Sequence, residues 1–351
     1  MEERKEAKSI DGDCTPTIQS KHFSAPCPGK TTLNTPCASG AMEDEYGQLD
    51  CSGEIYTSYD FELECGTVLP EAQACYNTYG RLNARKDNVI VVCHALTGNA
   101  RLDQWWGDML GPDKPFDTSK YFILCANVLG SCYGSTGPRS IDPRTGKPYG
   151  KNFPLVTIRD TVRLHLEILT EKLKVSSIYA VVGGSMGGMQ TLEWTLLGKD
   201  LVKSAVVIGC GARHSAWQIG FGETQRLAIY NDPKWNNGDI DFNDPPTQGL
   251  ALARQIAMIS YRTEESFHKK FGRDVDSKSQ KYQVQSYLHY QGRKFLDRFD
   301  ALTYVRLTQL MDSHDITAYS KDPARVMNNV GETLRSISCP VLVIGISSDV
   351  L

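Results

Sequence analysis

A chain of 351 residues, 40% apolar and 23% charged, has the composition of an ordinary globular protein and is long enough for one large core or two small ones. A net charge of −3 argues against the basic surface that nucleic acid or an anionic membrane selects. Eleven cysteines include no Cys-x-x-Cys pair and no metal-like spacing with histidine, and no apolar run reaches membrane-spanning length, so a metal centre and a membrane span have no support.

The odd cysteine count, spread over strands and loops, fits a reduced, cytoplasmic protein. The start, Met1 to Glu6, is charged and lacks an apolar segment, which argues against a secretory signal and only weakly suits a transit peptide. Residues 1–50 are rich in Ser, Thr, Pro, Gly and charge without periodicity, and read as a disordered tail. Residues 51–351 read as one domain.

From Glu54 the pattern changes. Ile55 to Leu63 and Gln73 to Tyr79 alternate about a glycine turn, as antiparallel edge strands do. Asn88 to Cys93 and Tyr121 to Ala126 are short continuous apolar runs, expected for strands buried on both faces. Thr157 opens a helix with Asp160 three residues on, and apolar residues follow at helical spacing to near Lys174. Further strands are expected at Ile178 to Val182, Val202 to Ile208 and Pro340 to Gly345. The alternation predicts an α/β protein with a mostly parallel sheet. Residues from about 214 to 336 break the rhythm and read as an inserted helical lid.

The strand at Ile178 runs into Gly183-Gly184-Ser185-Met186-Gly187-Gly188, and a helix follows. Strand, glycine-rich turn and helix make Gly-x-Ser-x-Gly a nucleophile elbow, with the serine hydroxyl raised above the sheet. The alternative is a tight turn with an idle serine. Gly183 and Gly187 are needed for the chain to pass, and Gly184 and Gly188 are expected to relieve crowding further. The oxyanion hole of such a site uses the N–H of the residue after the nucleophile, here Met186, and one from an earlier loop, for which Leu96 is the candidate.

A serine hydroxyl needs a base, usually a histidine oriented by a carboxylate. Asp349 follows a late core strand, where the acid belongs; the alternative is the N-cap of a further helix. The histidine should come later, yet His22, His94, His165, His214, His268, His289 and His314 all precede Asp349. The expectation is a truncated chain rather than a new triad. His94 better fits shaping the oxyanion loop than acting as base. His214 and His314 read as structural or substrate-facing, and His165 as lying on a helix surface or satisfied by packing.

These residues resemble the homoserine O-acetyltransferases. The likeness runs in order from His94-Ala95-Leu96-Thr97-Gly98 through Asn127 to Gly130, Phe153 to Asp160, Gly183 to Gly188 with Glu193-Trp194, Gln225-Arg226-Leu227, Asp312-Ser313-His314-Asp315 and Ser348-Asp349. The resemblance implies an α/β-hydrolase fold with a helical lid, whose catalytic histidine, last strand and last helix are expected beyond residue 351. It implies that Ser185 takes acetyl from acetyl-CoA, as co-substrate and with no cofactor, and passes it to the hydroxyl of L-homoserine, a step of methionine biosynthesis. Leu96 and Met186 would line the oxyanion hole, Asp349 would be the acid, and Arg226 would hold the amino acid's carboxylate. The alternative for Arg226 is a surface arginine on a lid helix. Without a phosphate-binding motif, coenzyme A would be held through the tunnel and lid surface. Serine O-acyltransferases and deacetylcephalosporin C acetyltransferases share these motifs. A serine esterase or thioesterase, an inactive truncated remnant, and a homodimer also stay open.

Overall fold

The computed structural model describes residues 52–277, 280–317 and 329–351. The tail expected over residues 1–50 lies outside them. Strand β1 (Glu54–Glu62) pairs with β2 (Val68–Tyr79) in an antiparallel hairpin. Strand β2 begins before the expected Gln73 and includes Pro70, which has no N–H for a ladder. The register steps from Tyr59 opposite Glu71 to Phe61 opposite Leu69. Asp60 and Pro70 are skipped, and Asp60 takes a left-handed φ of 51°.

Strand β3 (Val89–Cys93), short α1 (Leu102–Trp105) and β4 (Phe122–Ala126) follow. Every residue of β3 and β4 is buried, as their unbroken apolar runs require. A small ribbon, β5 (Ile141–Asp142) and β6 (Lys147–Pro148), precedes α2 (Ile158–Glu167), which a π turn extends to Lys172. Next come β7 (Ile178–Gly184), α3 (Met186–Leu197) and β8 (Ala205–Ile208). The helices α4 (Ala216–Tyr230), α5 (Thr247–Ser260), α6 (Glu264–Phe271), α7 (Gln283–Leu296) and α8 (Ala301–Asp312) come before α9 (Val330–Arg335) and β9 (Val341–Ile344).

Among the described residues the main sheet has seven strands in the order β1-β2-β4-β3-β7-β8-β9. From β4 to β9 neighbouring strands are parallel, and β2 runs antiparallel to β4. Strand β9 lies at the edge, and Leu342, Val343 and Ile344 are exposed although all are apolar. An edge of this kind offers unpaired N–H and C=O groups to a further strand.

Two polar nodes lock the helices to the sheet. Thr157 caps α2: its Oγ1 accepts from the Asp160 N–H at 3.1 Å, and Asp160 Oδ2 accepts from the Thr157 N–H at 3.1 Å. The next residue, Arg159, is buried. Its Nε and Nη2 donate to Glu193 of α3 at 3.0 Å each, and Nη1 donates to Glu64 at 2.9 Å. Burial pushes the Glu193 carboxyl up, and Arg159 pulls it down.

The second node surrounds Asn127, just after β4. Its Oδ1 accepts from the Ala100 N–H at 2.7 Å, and its Nδ2 donates to the Tyr133 carbonyl at 2.6 Å. His165 was expected on a surface or satisfied by packing; it is 2% exposed, and its Nε2 bonds the Asn127 carbonyl at 3.0 Å. That carbonyl also accepts from the Ser135 hydroxyl at 2.8 Å, and α2 fills its second lone pair. His94 is fully buried at the end of β3. The Val128 N–H donates to its Nε2 at 3.2 Å, so the ring proton sits on Nδ1 and goes to the Ala95 carbonyl at 2.8 Å. Burial pushes both His94 and His165 down to about 4.

Two measurements test these nodes. Arg159→Leu leaves Glu193 buried without its cation and is expected to cost about 3–5 kcal/mol, read by urea unfolding. His94 and His165 must each gain a proton on unfolding below their ordinary value of about 6.5. Their contribution is therefore full above pH 6.5 and is lost as pH falls towards 4. Their joint share of the drop in unfolding free energy between pH 7 and pH 5, read against a variant lacking both, should be roughly 2–4 kcal/mol, with both imidazoles still neutral at pH 5 by ¹³C NMR.

Candidate active site

Strand β7 ends at Gly184 and α3 begins at Met186, so the whole reversal falls on Ser185. Ser185 takes φ 54° and ψ −124°, a conformation that costs a non-glycine residue about 1–3 kcal/mol. It is held there from both sides. Its N–H donates to the Ile208 carbonyl of β8 at 2.9 Å, and its carbonyl accepts from the Met189 N–H at 3.1 Å. The bend also needs bare α-carbons. A Cβ on Gly183 would lie 2.2 Å from the Gly187 carbonyl oxygen, and one on Gly187 would lie 2.1 Å from that of Cys93. Gly188 is crowded too, by the Cys210 side chain at 2.6 Å. Gly184 departs from expectation: a Cβ there would meet Ile208 at an ordinary 3.8 Å, so no close approach requires it.

Ser185 lines a cavity of about 290 Å³ with Leu96, Met189, His214, Gly222, Gln225, Asp312 and Asp349 among its walls. Leu96 sits in the loop after β3. That loop is braced from two directions: Gln190 of α3 donates to the His94 carbonyl at 3.1 Å, and Arg298, between α7 and α8, donates to the Thr97 carbonyl at 2.7 Å. Met186 is the first residue of α3, so its N–H has no acceptor inside the helix. Asp349 lies on the exposed loop after β9, with Oδ2 3.9 Å from where a Cβ on Gly209 would stand. Trp217 of α4 donates to the Val350 carbonyl at 2.6 Å and fixes that loop against the helices.

Among the described residues no histidine is hydrogen-bonded to Ser185. His214 lines the cavity, but its Nε2 lies 3.8 Å from Asp312 Oδ1, and burial pushes the imidazole down to about 4. His314 is buried and bonds the Gly211 carbonyl at 3.1 Å. Val350 and Leu351, the residues after Asp349, carry no titratable side chain. No group of acidic, cysteine and histidine side chains among the described residues could hold a metal ion, and no described helix is long and apolar enough to cross a membrane.

Arg226 is not on the surface of its helix: it is 5% exposed. Nor does it line the cavity directly. It stands behind the wall, with Nη2 2.7 Å from Asp312 Oδ2 and 2.8 Å from Glu223 Oε2. Sequence reasoning missed Asp312 and Gly222 as cavity residues. Asp312 stood in a quoted motif without a role; Gly222, one helical turn before Arg226, was the signal available for the other.

The chain's likeness to other proteins agrees with this geometry. The family model for the alpha/beta hydrolase fold matches residues 88–351. A homoserine O-acetyltransferase of Chlorobium chlorochromatii is 50% identical over 300 residues, covering 85% of this chain and 82% of that protein. One from Trichormus variabilis is 49% identical, covering 83% and 79%. Among solved structures, esterase E22 superposes with a TM-score of 0.73 at 27% identity over 83% of this chain and 84% of its own. A homoserine O-acetyltransferase from Staphylococcus aureus superposes at 0.66 and 27%, covering 86% and 81%. With the elbow, its bracing loops and this identity on the page, the chain belongs to the homoserine O-acetyltransferase family of the alpha/beta hydrolase fold.

Proposed function

We propose that this protein transfers acetyl from acetyl-CoA to the hydroxyl of L-homoserine through an acetyl-Ser185 intermediate, in the cytoplasm, as a step towards methionine. The observation that carries the reading is convergence. Ser185, Leu96 and Asp349 come from distant stretches of the chain and line one cavity. They do so in a chain half identical to proteins named for this reaction.

Ser185 Oγ attacks the thioester carbonyl as its proton leaves to the histidine base that the family's reaction uses and Asp349 would orient; no histidine among the described residues stands in that place. The oxyanion is received by the Leu96 and Met186 N–H groups, with the N-terminal end of α3 adding positive potential. Collapse expels the CoA thiolate, which takes up the proton, and leaves acetyl-Ser185. The homoserine hydroxyl then attacks the ester carbonyl, its proton passes through the same base back to Ser185 Oγ, and O-acetylhomoserine departs. Arg226 Nη1 takes the acceptor's carboxylate. The inserted helices keep water from the ester. Donors already held by the fold need no rearrangement in the transition state, and losing one costs roughly 3 kcal/mol.

The likeness to esterase E22 favours a second reading, hydrolysis of the same acyl-enzyme. CoA release separates the two. A transferase releases CoA steadily only when homoserine is present, with O-acetylhomoserine formed one for one. Steady release without homoserine would instead assign the chain to the hydrolases. Mass spectrometry of a quenched mixture should find the acetyl group on Ser185, and Ser185→Ala should lower transfer by at least about 10³-fold.

A further inference from the structure

The loop after β3 closes on itself. The Gly98 N–H donates to the Ala95 carbonyl at 2.9 Å, so residues 95–98 form one turn with Leu96 and Thr97 at its crest. A Cβ on Gly98 would lie 2.9 Å from that of His94, so the turn is tighter than a side chain there allows. Its base is held from the sheet side. His94 Nδ1 donates to the Ala95 carbonyl at 2.8 Å, and Asn127 Oδ1 accepts from the Ala100 N–H at 2.7 Å. Its crest is held from the lid. Arg298 Nη1 donates to the Thr97 carbonyl at 2.7 Å, and Nη2 donates to Thr97 Oγ1 at 3.4 Å.

Arg298 sits at the corner between α7 and α8, and that corner is tied down. The Tyr133 hydroxyl donates to the Arg298 carbonyl at 2.7 Å and accepts from Arg298 Nη1 at 3.1 Å. The guanidinium also lies over the Phe295 ring, 5.0 Å from its centroid. Its hydrogen bonds go to neutral oxygens, and no carboxylate pairs with it among the described residues. A full cation is thus aimed at one main-chain carbonyl.

Geometry carries that charge to the next donor. A trans peptide is planar, with its C=O and N–H pointing opposite ways. The Thr97 carbonyl that Arg298 holds is trans to the Gly98 N–H. That N–H bonds the Ala95 carbonyl, which is trans to the Leu96 N–H. Two peptide units therefore join Arg298 to Leu96 head to tail. Bonds in such a chain polarise one another, and a charged donor at its head strengthens them most.

We propose that Arg298 is a positioning residue for the oxyanion hole: from the lid it aims and polarises the Leu96 N–H through this turn. The hole is then complete only while the α7–α8 corner is seated, which ties acyl transfer to a closed lid. The inference deepens the acetyltransferase reading and rests on it for the oxyanion that Leu96 would receive.

The test reads the Leu96 amide directly by NMR, without turnover. Labelling with ¹³C′-alanine and ¹⁵N-leucine confines the signals to Ala-Leu pairs, of which Ala95-Leu96 is one. Arg298→Met keeps the bulk without a donor and should move the Leu96 amide proton upfield. Arg298→Gln, with a neutral donor, should move it less. Tyr133→Phe loosens the same corner but leaves both Thr97 bonds, and should leave the amide in place. At saturating acetyl-CoA, Arg298→Met should form acetyl-Ser185 about 10-fold more slowly, with the half-saturating concentration unchanged and Arg298→Gln in between. An unmoved Leu96 amide in folded Arg298→Met overturns the relay. So does an equal displacement by Tyr133→Phe, which would reduce the corner to packing. If Arg298→Met does not fold, Arg298→Gln decides by the same signal. An unmodified protein that never forms acetyl-Ser185 would sink the transferase reading while the amide shift upheld the relay; acetylation at a rate untouched by Arg298→Met would do the reverse.

Discussion

The α-carbon of Gly187 rests against the main-chain carbonyl of Cys93, at a distance no side chain tolerates. This approach sets how near the start of α3 comes to the end of β3. It brings the first N–H groups of the helix beside the loop that carries Leu96. The same constraint explains the strain at Ser185. A helix starting this close to its own strand leaves one residue to reverse the chain, and the ladder bond to Ile208 holds that residue in its left-handed well. Strain of a few kcal/mol persists only where surrounding contacts over-determine it. Here they include β8, α3 and the β3 loop.

Buried polar groups fall into two kinds in this molecule. Around Asn127 and Arg159 each major donor and acceptor is matched, so the groups act as fasteners: α2 to α3, β4 to the β3 loop. Around Arg226 the matching is incomplete, and the loose ends face a cavity. An unmatched buried polar atom costs about 1–3 kcal/mol, so the fastening role does not account for the second cluster.

The strands were legible because their apolar runs are short and unbroken, as a two-sided sheet demands. Strand order was not, since local pattern carries no record of which run lies beside which. The early start of β2 hid behind Pro70, whose missing N–H is harmless only because the register skips it opposite Asp60. For His165 and Arg226 a helix surface stood among the readings, and both are buried for a common reason. Each sits on a helix among ordinary neighbours, and each is buried by a partner far off in sequence: the Asn127 carbonyl for one, the Asp312 carboxylate for the other. Ser185 and Gly183 were legible because sterics at a tight bend act within six residues, whereas Gly187 and Gly188 are crowded by Cys93 and Cys210 from elsewhere in the chain. The cavity opposite was not legible, because its wall is assembled from six separate stretches.

Hydrolysis and transfer through an acetyl-Ser185 would differ only in what reaches the ester next. Water needs no recognition. An amino-acid hydroxyl needs its charged end held, and a cluster with one cation and two anions beside the nucleophile's cavity is an awkward neighbour for an apolar ester. Such a wall lowers the local stability of the empty protein and weakens the binding of neutral substrates. The ion pairs of Arg226 with Glu223 and Asp312 behind the wall are where this cavity departs from a plain apolar ester site.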